Sequence, residues 1–299
     1  MKNLKERIKS NKNTYLFFYS LIKILSKFTI TFLVFFEMQL NSIKIFLNKK
    51  VKLRRAHFYN NDVRKKIFKN LILQQIKKFK KNKKTDDVFV LIEIGSLIGD
   101  SIEVWGTELN KKIKKFLIIS IDPFDDYVNE EDKKKYTTLK IRSNKTNQLF
   151  KYFVHNNSLL KFRKNIIHMR DYSNNALNYL LKLNIKSDFI YIDGAHDYKN
   201  IKQDFILSKK LIYKSKKYNG TICGDDHYVV DNEYKKFGLN KSKFLNLLYK
   251  NRQKELLTLN TMTGNKYRNI TFHPGIAYFF SISKETFIQL KDGLWKLKI

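Results

Sequence analysis

Two groups of acidic and imidazole side chains follow apolar runs of the sequence and could do chemistry together. Asp193 and His196 come directly after one such run, and Asp225, Asp226 and His227 follow the next. The carboxyl ends of parallel strands meet at one edge of a sheet, where ligands bind, so we expect these groups to converge. A solvated loop needs no acidic pair against a buried strand. The pattern therefore favours a functional site with cation-binding or proton-accepting groups.

A second pattern is typical of a site for a nucleoside. The first apolar run ends at Ile94 and leads into a turn that contains Gly95 and Gly99, spaced G-x-x-x-G. Glycine allows a sharp turn and a close ligand approach at the start of a helix. The next run ends in Asp122, placed either to accept hydrogen bonds from ribose hydroxyls or to cap a helix. Each signal alone is weak, but together they favour a nucleoside ligand.

Apolar runs that alternate with helix-length segments would position these groups. Such runs predict an α/β, doubly wound sheet with strands covered on both faces. The predicted strands are Val88–Ile94, Phe116–Ile121, Asn165–Met169, Asp188–Ile192, Gly220–Cys223 and Ile276–Ile282. We expect a helix to begin near Asp100 and another to carry Ile201, Phe205 and Leu211.

Two sequence motifs, at residues 192–198 and 224–226, resemble those of a known family. I-D-G-x-H-x-Y at residues 192–198 and G-D-D at residues 224–226 are similar to motifs of the class I S-adenosylmethionine-dependent methyltransferases. The resemblance is to the branch that includes sugar and antibiotic O-methyltransferases, some of them magnesium-dependent. It covers roughly residues 86–285, including His273-Pro274-Gly275. It implies a Rossmann-like, mostly parallel sheet of seven strands, and O-methylation of a sugar, a glycan or another small molecule.

The resemblance also implies roles for individual residues. The adenine would lie beside Asp171 and Tyr172, and the ribose would be held by Asp122. The methionine end of the cofactor would be lined by Glu93, Gly95, Ser96 and Gly99.

In metal-dependent members of that branch, acids at the positions of Asp193, Asp225 and Asp226 bind the cation, and Mg²⁺ prefers carboxylate oxygens. Some relatives carry an acid, proposed as the base, where this chain has Ala195. Two roles stay open for His196: it replaces that base beside Asp193, or it contacts cofactor or substrate.

Composition leaves the partner open. The formal charge of +33 indicates either a phosphate-rich partner or a general bias toward lysine, and the even spread of lysine favours the bias. An RNA or DNA methyltransferase is therefore an alternative, although the chain has no Pro-Pro after the fourth strand. A non-catalytic binding module with the same fold is a second alternative. The only cysteine, Cys223, fits a reducing compartment, and we expect a cytoplasmic location.

The N-terminal part differs from the rest. We predict a basic, helical extension over residues 1–85 and the methyltransferase domain over residues 86–299. Residues 15–47 are apolar at helical spacing, but their longest uncharged run, Phe28–Phe36, is too short to span a bilayer. Two interpretations stay open for this segment: it packs on the main domain or a second subunit, or it lies at an anionic membrane surface.

Overall fold

The computed structural model describes residues 32, 35–53, 62–124, 147–227, 233–263 and 271–298. The chain divides into two compact units, Met1–Arg54 and Arg55–Ile299. In the first unit a helix (α1) covers residues 35–46, and Asn41 on it donates a hydrogen bond to the carbonyl of Lys52 at 3.3 Å. The helix exposes several large apolar side chains, Phe46 most of all. None of the helices in the described ranges combines the length and apolar composition that a bilayer span requires. The predictions for residues 1–31, 33–34 and 54–61 lie outside the described residues.

The second unit alternates helices with strands. Its helices are α2 (Asp62–Asn82), α3 (Asp100–Lys112), α4 (Gln148–Ser158), α5 (Ser173–Lys182), α6 (Tyr198–Leu211), α7 (Lys241–Asn251), α8 (Leu259–Thr263) and α9 (Pro274–Ile282). Its strands are β1 (Phe89–Ile94), β2 (Phe116–Ile121), β3 (Ile166–Met169), β4 (Phe189–Ile192), β5 (Thr221–Gly224), β6 (Leu257–Thr258), β7 (Thr271–Phe272), β8 (Phe287–Gln289) and β9 (Trp295–Leu297).

The main sheet has seven strands in the order β3-β2-β1-β4-β5-β9-β8. Strands β1 to β5 pair in parallel, and β9 pairs antiparallel with both β5 and β8. The α/β, Rossmann-like prediction is confirmed, and so are the first five predicted strands to within a residue. The strand order reverses between β1 and β4, so the carboxyl ends of these two strands form the crevice where such sheets bind ligands.

The sixth predicted strand is wrong. Residues Ile276–Ile282 belong to helix α9, and the last two strands of the sheet lie further along the chain at β8 and β9. Pro274 occupies the first turn of α9, where its fixed φ suits a helix and its missing N–H is not needed. A short apolar run cannot be assigned to strand or helix from periodicity, and here the run is apolar because Ile276 and Phe279 are buried in the core.

Helix α2 lies in the same compact unit as the sheet, although it falls within residues 1–85, which are predicted to form an N-terminal extension. Phe68 on α2 packs its ring edge against Trp105 at 4.5 Å and Tyr191 at 5.1 Å between ring centroids. Gln75 is buried, donates to the Tyr218 hydroxyl at 2.8 Å, and accepts from the Thr221 hydroxyl at 2.7 Å. The helix is therefore part of the folded core between residues 62 and 82.

Candidate active site

The three predicted metal-binding acids converge at the carboxyl ends of β4 and β5. Asp193 follows β4, and Asp225 and Asp226 follow β5, the strand beside it in the sheet. One carboxylate oxygen from each lies within 4.8 Å of the others. The parallel pairing of β4 with β5 therefore creates a cluster of acids at one edge, as the sequence predicted.

An arginine from α2 enters this cluster. Arg64 is buried and forms an ion pair with the Oδ2 atom of Asp225, and its other terminal nitrogen lies 3.7 Å from Asp292. Asp225 is 4% exposed and also accepts hydrogen bonds from the Tyr191 hydroxyl at 3.3 Å and from the backbone N–H of Asp226 at 2.7 Å. Like charges this close would repel, so Arg64 supplies part of the positive charge that the acids need.

His196 lies in the same cluster, held between two further carboxylates. Its Nε2 atom is 2.9 Å from Asp226 Oδ2, and its Nδ1 atom is 3.4 Å from Glu255 Oε2. Glu255 also accepts the backbone N–H of His196 at 3.1 Å. Burial alone would lower the pKa of His196, but Asp226 and the other carboxylates outweigh it and hold that pKa well above its usual value. The ring therefore carries a proton in this arrangement.

The second imidazole of the cluster is His273. Its ring centroid is 4.2 Å from that of His196, and its Nε2 atom is 3.5 Å from Asp226 Oδ2. Burial, with the positive charge on His196, lowers the pKa of His273 to about 4, so this ring is neutral. His227, which we expected to join the cluster, stacks instead on Phe280 with 3.9 Å between centroids.

The glycine turn lies directly beside the acids. Gly95 has a φ of 84°, and a Cβ at this position would lie 1.9 Å from the carbonyl oxygen of Asp193. Gly99 also has a φ of 84° and caps the start of α3. L-amino acids with a side chain rarely adopt that φ, so the turn requires glycine at both positions. The turn and the backbone of Asp193 are thus in contact.

Several residues that are predicted to contact the cofactor form hydrogen bonds with other protein groups in or beside the turn. Ser101 donates to one oxygen of Glu93, and Ser120 donates to the Ser96 hydroxyl at 2.7 Å. Asp122 accepts backbone hydrogen bonds from Leu97 at 2.9 Å and Phe124 at 2.8 Å. Burial raises the pKa of Glu93 to about 8 and that of Asp122 to about 6, because neither carboxylate is solvated. These acids shape the turn, and their predicted contacts with a cofactor stay predictions.

The two residues predicted to lie beside an adenine follow β3. Asp171 accepts a hydrogen bond from the backbone of Tyr172 at 2.7 Å and another from Asn175 at 3.0 Å, so it organises the first turn of α5. The Tyr172 side chain is about half exposed. Strand β3 pairs with β2, so both residues lie on the same side of the crevice as Asp122.

Four residues near the site have no role predicted from the sequence. Arg64 is one of many basic residues of the chain, and Glu255 comes from a segment without a motif. His273 belongs to the resemblance over residues 273–275, but the resemblance gave it no role in the site. The fourth is Asn157, buried at the end of α4, which lies 3.1 Å from the Cβ position that Gly99 lacks. Its amide oxygen and nitrogen have no hydrogen-bond partner among the described residues.

Part of the chain is similar to a known protein family. Residues 92–227 match a family model described as a methyltransferase domain. No curated protein matches the chain. Similar solved structures include a SAM-dependent methyltransferase from Agrobacterium tumefaciens, with 8% identity, a TM-score of 0.35, and coverage of 59% of this chain and 47% of that one. An O-methyltransferase family protein from Burkholderia thailandensis has 8% identity and a TM-score of 0.37 over 82% of this chain and 62% of that one.

A third similar structure is MycE methyltransferase from the mycinamycin biosynthetic pathway in complex with Mg and SAH. It has 10% identity and a TM-score of 0.34 over 76% of this chain and 48% of that one. The chain thus spans about half the length of the Agrobacterium and MycE chains. Residues 92–227 are thus similar to a methyltransferase domain, and the described sheet has the strand order of a Rossmann-like α/β fold.

Proposed function

We propose that the chain is an S-adenosylmethionine-dependent O-methyltransferase that acts on a hydroxyl of a sugar, a glycan or another small molecule. The observation that carries the proposal is the contact between the glycine turn and Asp193. The turn, at the end of β1, is a place for the cofactor, and the acids and imidazoles follow β4 and β5 next to it. A methyl donor and an acceptor hydroxyl held at these two places would be neighbours.

Buried polar atoms near the turn fit a polar cofactor. The side chain of Asn157 beside Gly99 is buried, and neither its amide oxygen nor its amide nitrogen has a hydrogen-bond partner among the described residues. Leaving such groups unsatisfied costs about 1–3 kcal/mol each. The amino and carboxylate groups of a bound S-adenosylmethionine would supply the missing partners.

The reaction requires little acid chemistry from the protein. When bound, S-adenosylmethionine supplies a methyl group on a positively charged sulfur. The protein must hold the acceptor hydroxyl in line with the sulfur–carbon bond and take its proton as the oxygen–carbon bond forms. We assign the proton to Asp193, because burial, followed by the nearby Asp226, raises the pKa of this carboxyl. Its side chain is 30% exposed and within reach of an acceptor.

His196 suits a different role in this arrangement. It already holds a proton between Asp226 and Glu255, so it can serve as base only after it gives that proton up. We therefore propose that His196 orients Asp226 and contacts the acceptor, which is one of the two roles that the sequence left open.

Magnesium at Asp193, Asp225 and Asp226 is a finer proposal, and the residues fit it only in part. The three carboxylates are close enough, and Mg²⁺ binds to such oxygens. Asp225, however, is already neutralised by Arg64, so an ion would have to replace that pair. We derive no step of the reaction through magnesium.

Two measurements test the function. Isothermal titration should show micromolar-range binding of S-adenosylmethionine to the full-length protein. A screen with methyl-labelled cofactor against sugar nucleotides, glycans and total RNA should place the label on a hydroxyl of a small acceptor. With that acceptor, Asp193→Asn should lower kcat by about 10²–10⁴-fold and leave cofactor affinity nearly unchanged.

The alternatives give different results in the same measurements. Absence of cofactor binding would support the non-catalytic binding module. Label found only in RNA would support the nucleic-acid methyltransferase. Full activity in Asp193→Asn would remove Asp193 as the proton acceptor, and the His196→Gln variant would then show whether His196 takes that role.

A further inference from the structure

We propose that His196, Asp226 and His273 form a site for a divalent transition-metal ion such as Zn²⁺ or Co²⁺. This site shares Asp226 with the magnesium proposal but uses different donors. It is a claim about metal binding alone and does not depend on methyl transfer.

The donor atoms already have the spacing of a metal site. The Nε2 atoms of His196 and His273 lie 2.9 and 3.5 Å from the same atom, Asp226 Oδ2. All three donors lie within 4.8 Å of one another. Ligands bound at about 2.1 Å in a tetrahedral site are about 3.4 Å apart, so small side-chain shifts would admit an ion.

Glu255 orients both imidazoles from behind. Its carboxylate lies 3.4 Å from Nδ1 of His196, and its backbone carbonyl bonds Nδ1 of His273. Histidines that bind metals almost always donate their second ring N–H to a carboxylate or a backbone carbonyl. One residue here provides both kinds of partner, which fixes each ring with Nε2 toward Asp226. Rings that served only for packing would not require this shared orientation.

The backbone around the cluster is fixed as well. Gly275 lies at the start of α9, two residues after His273, and a Cβ there would be 2.5 Å from the carbonyl oxygen of His196. Asp226 adopts a φ of 58°, which is uncommon for a residue with a side chain. The loops that carry the three donors are therefore held at close range.

The donor set selects the class of metal. Two imidazole nitrogens and one carboxylate oxygen suit Zn²⁺, Co²⁺ or Fe²⁺, whereas Mg²⁺ prefers oxygen ligands alone. Three protein ligands also leave a coordination position for water or another oxygen ligand. Each donor residue is half-buried, so an ion could enter from solvent.

The test uses full-length protein that has been stripped with a chelator. Titration with Co²⁺ should give one equivalent of binding with visible absorption bands, and Zn²⁺, but not a large excess of Mg²⁺, should compete. His273→Gln should lower affinity by more than about 100-fold, since it removes a ligand. Glu255→Gln should lower it by about 10–100-fold, the usual cost of losing such a second partner.

Controls distinguish metal binding at this site from metal binding at the cluster of three acids, Asp193, Asp225 and Asp226. His155→Gln, on α4, should bind Co²⁺ like the natural chain. X-ray absorption of the Zn²⁺-loaded natural chain should show two imidazole ligands, which needs no variant to fold. Absence of Co²⁺ binding, binding that is lost in Asp193→Asn but kept in His273→Gln, or a spectrum with oxygen ligands only would each overturn the proposal.

Discussion

The ion pair between Arg64 and Asp225 is the contact whose removal we expect to be most informative. Arg64→Met keeps most of the side-chain volume on α2 but leaves the Asp225 carboxylate buried without its cation. Breaking a buried pair in this way costs about 3–5 kcal/mol. We expect the lower end of that range, about 3 kcal/mol, because Tyr191 and the backbone of Asp226 still donate hydrogen bonds to Asp225.

The matched control is Lys69→Met on the same helix. Lys69 is 52% exposed and pairs with Glu108 at 3.4 Å, and a pair with one exposed partner contributes at most about 1 kcal/mol. At about 2–4 °C per kcal/mol for a domain of this size, Arg64→Met should lower the Tm by roughly 6–12 °C and Lys69→Met by much less. Asp225→Asn should recover part of the loss in the Arg64→Met background, because it removes the unpaired charge. The reasoning fails if the two single variants on α2 lose the same stability.

The Arg64→Met variant also tests magnesium. If Mg²⁺ can bind the three acids, it should raise the Tm of Arg64→Met, in which Asp225 is released, more than that of the natural chain. An equal rise in both proteins would mean that an ion binds without displacing Arg64, and no rise in either would remove Asp225 as a magnesium ligand.

Three further predictions concern the turn, Asn157 and Asp204. Gly95→Ala should abolish S-adenosylmethionine binding in isothermal titration, because its Cβ would collide with the carbonyl of Asp193; normal affinity would contradict the observed turn. Asn157→Ala should weaken that binding by about 1–2 kcal/mol, while Asn178→Ala on the exposed face of α5 should have no effect; equal affinities would exclude Asn157 from the site. Burial raises the pKa of Asp204 to about 7, so the folded state binds its proton more tightly than the unfolded state does, and stability falls as pH rises from about 4 to about 7. Asp204→Asn should therefore stabilise the protein at pH 8 by up to about 4 kcal/mol and change it little at pH 4, as thermal melts at the two pH values would show; an equal effect at both would contradict the assignment.

The sequence predicts those parts of the fold in which an apolar run along the chain is also a strand buried in the sheet. Strands β1 and β2 are apolar throughout and are buried at the centre of the sheet, so their composition alone identifies them. The run Ile276–Ile282 is equally apolar, but its burial comes from a helix packed on the sheet, and a run of this length does not distinguish the two.

The candidate site likewise contains residues that the sequence predicts and residues that it does not. Asp193 and Asp225 could be predicted because each directly follows a strand, and the pairing of β4 with β5 brings them together. Arg64 and Glu255 could not, because they reach the cluster through tertiary packing of segments that carry no motif. A pattern along the chain says which strand ends carry acids, but not which distant cation will neutralise them.

Asp225 also has a consequence for how the molecule is made. Arg64, near the start of the second unit, bonds its side chain, and Trp295, in β9, donates to its carbonyl oxygen at 3.1 Å. During synthesis the arginine emerges early and the tryptophan late, so the contact of Trp295 with Asp225 cannot form until β9 has been made and paired with β5. A nascent chain that has completed β1 to β5 therefore exposes β5 as an edge strand, because its partner β9 has not yet been made. Such species depend on rapid completion, or on a chaperone, to avoid association with other chains.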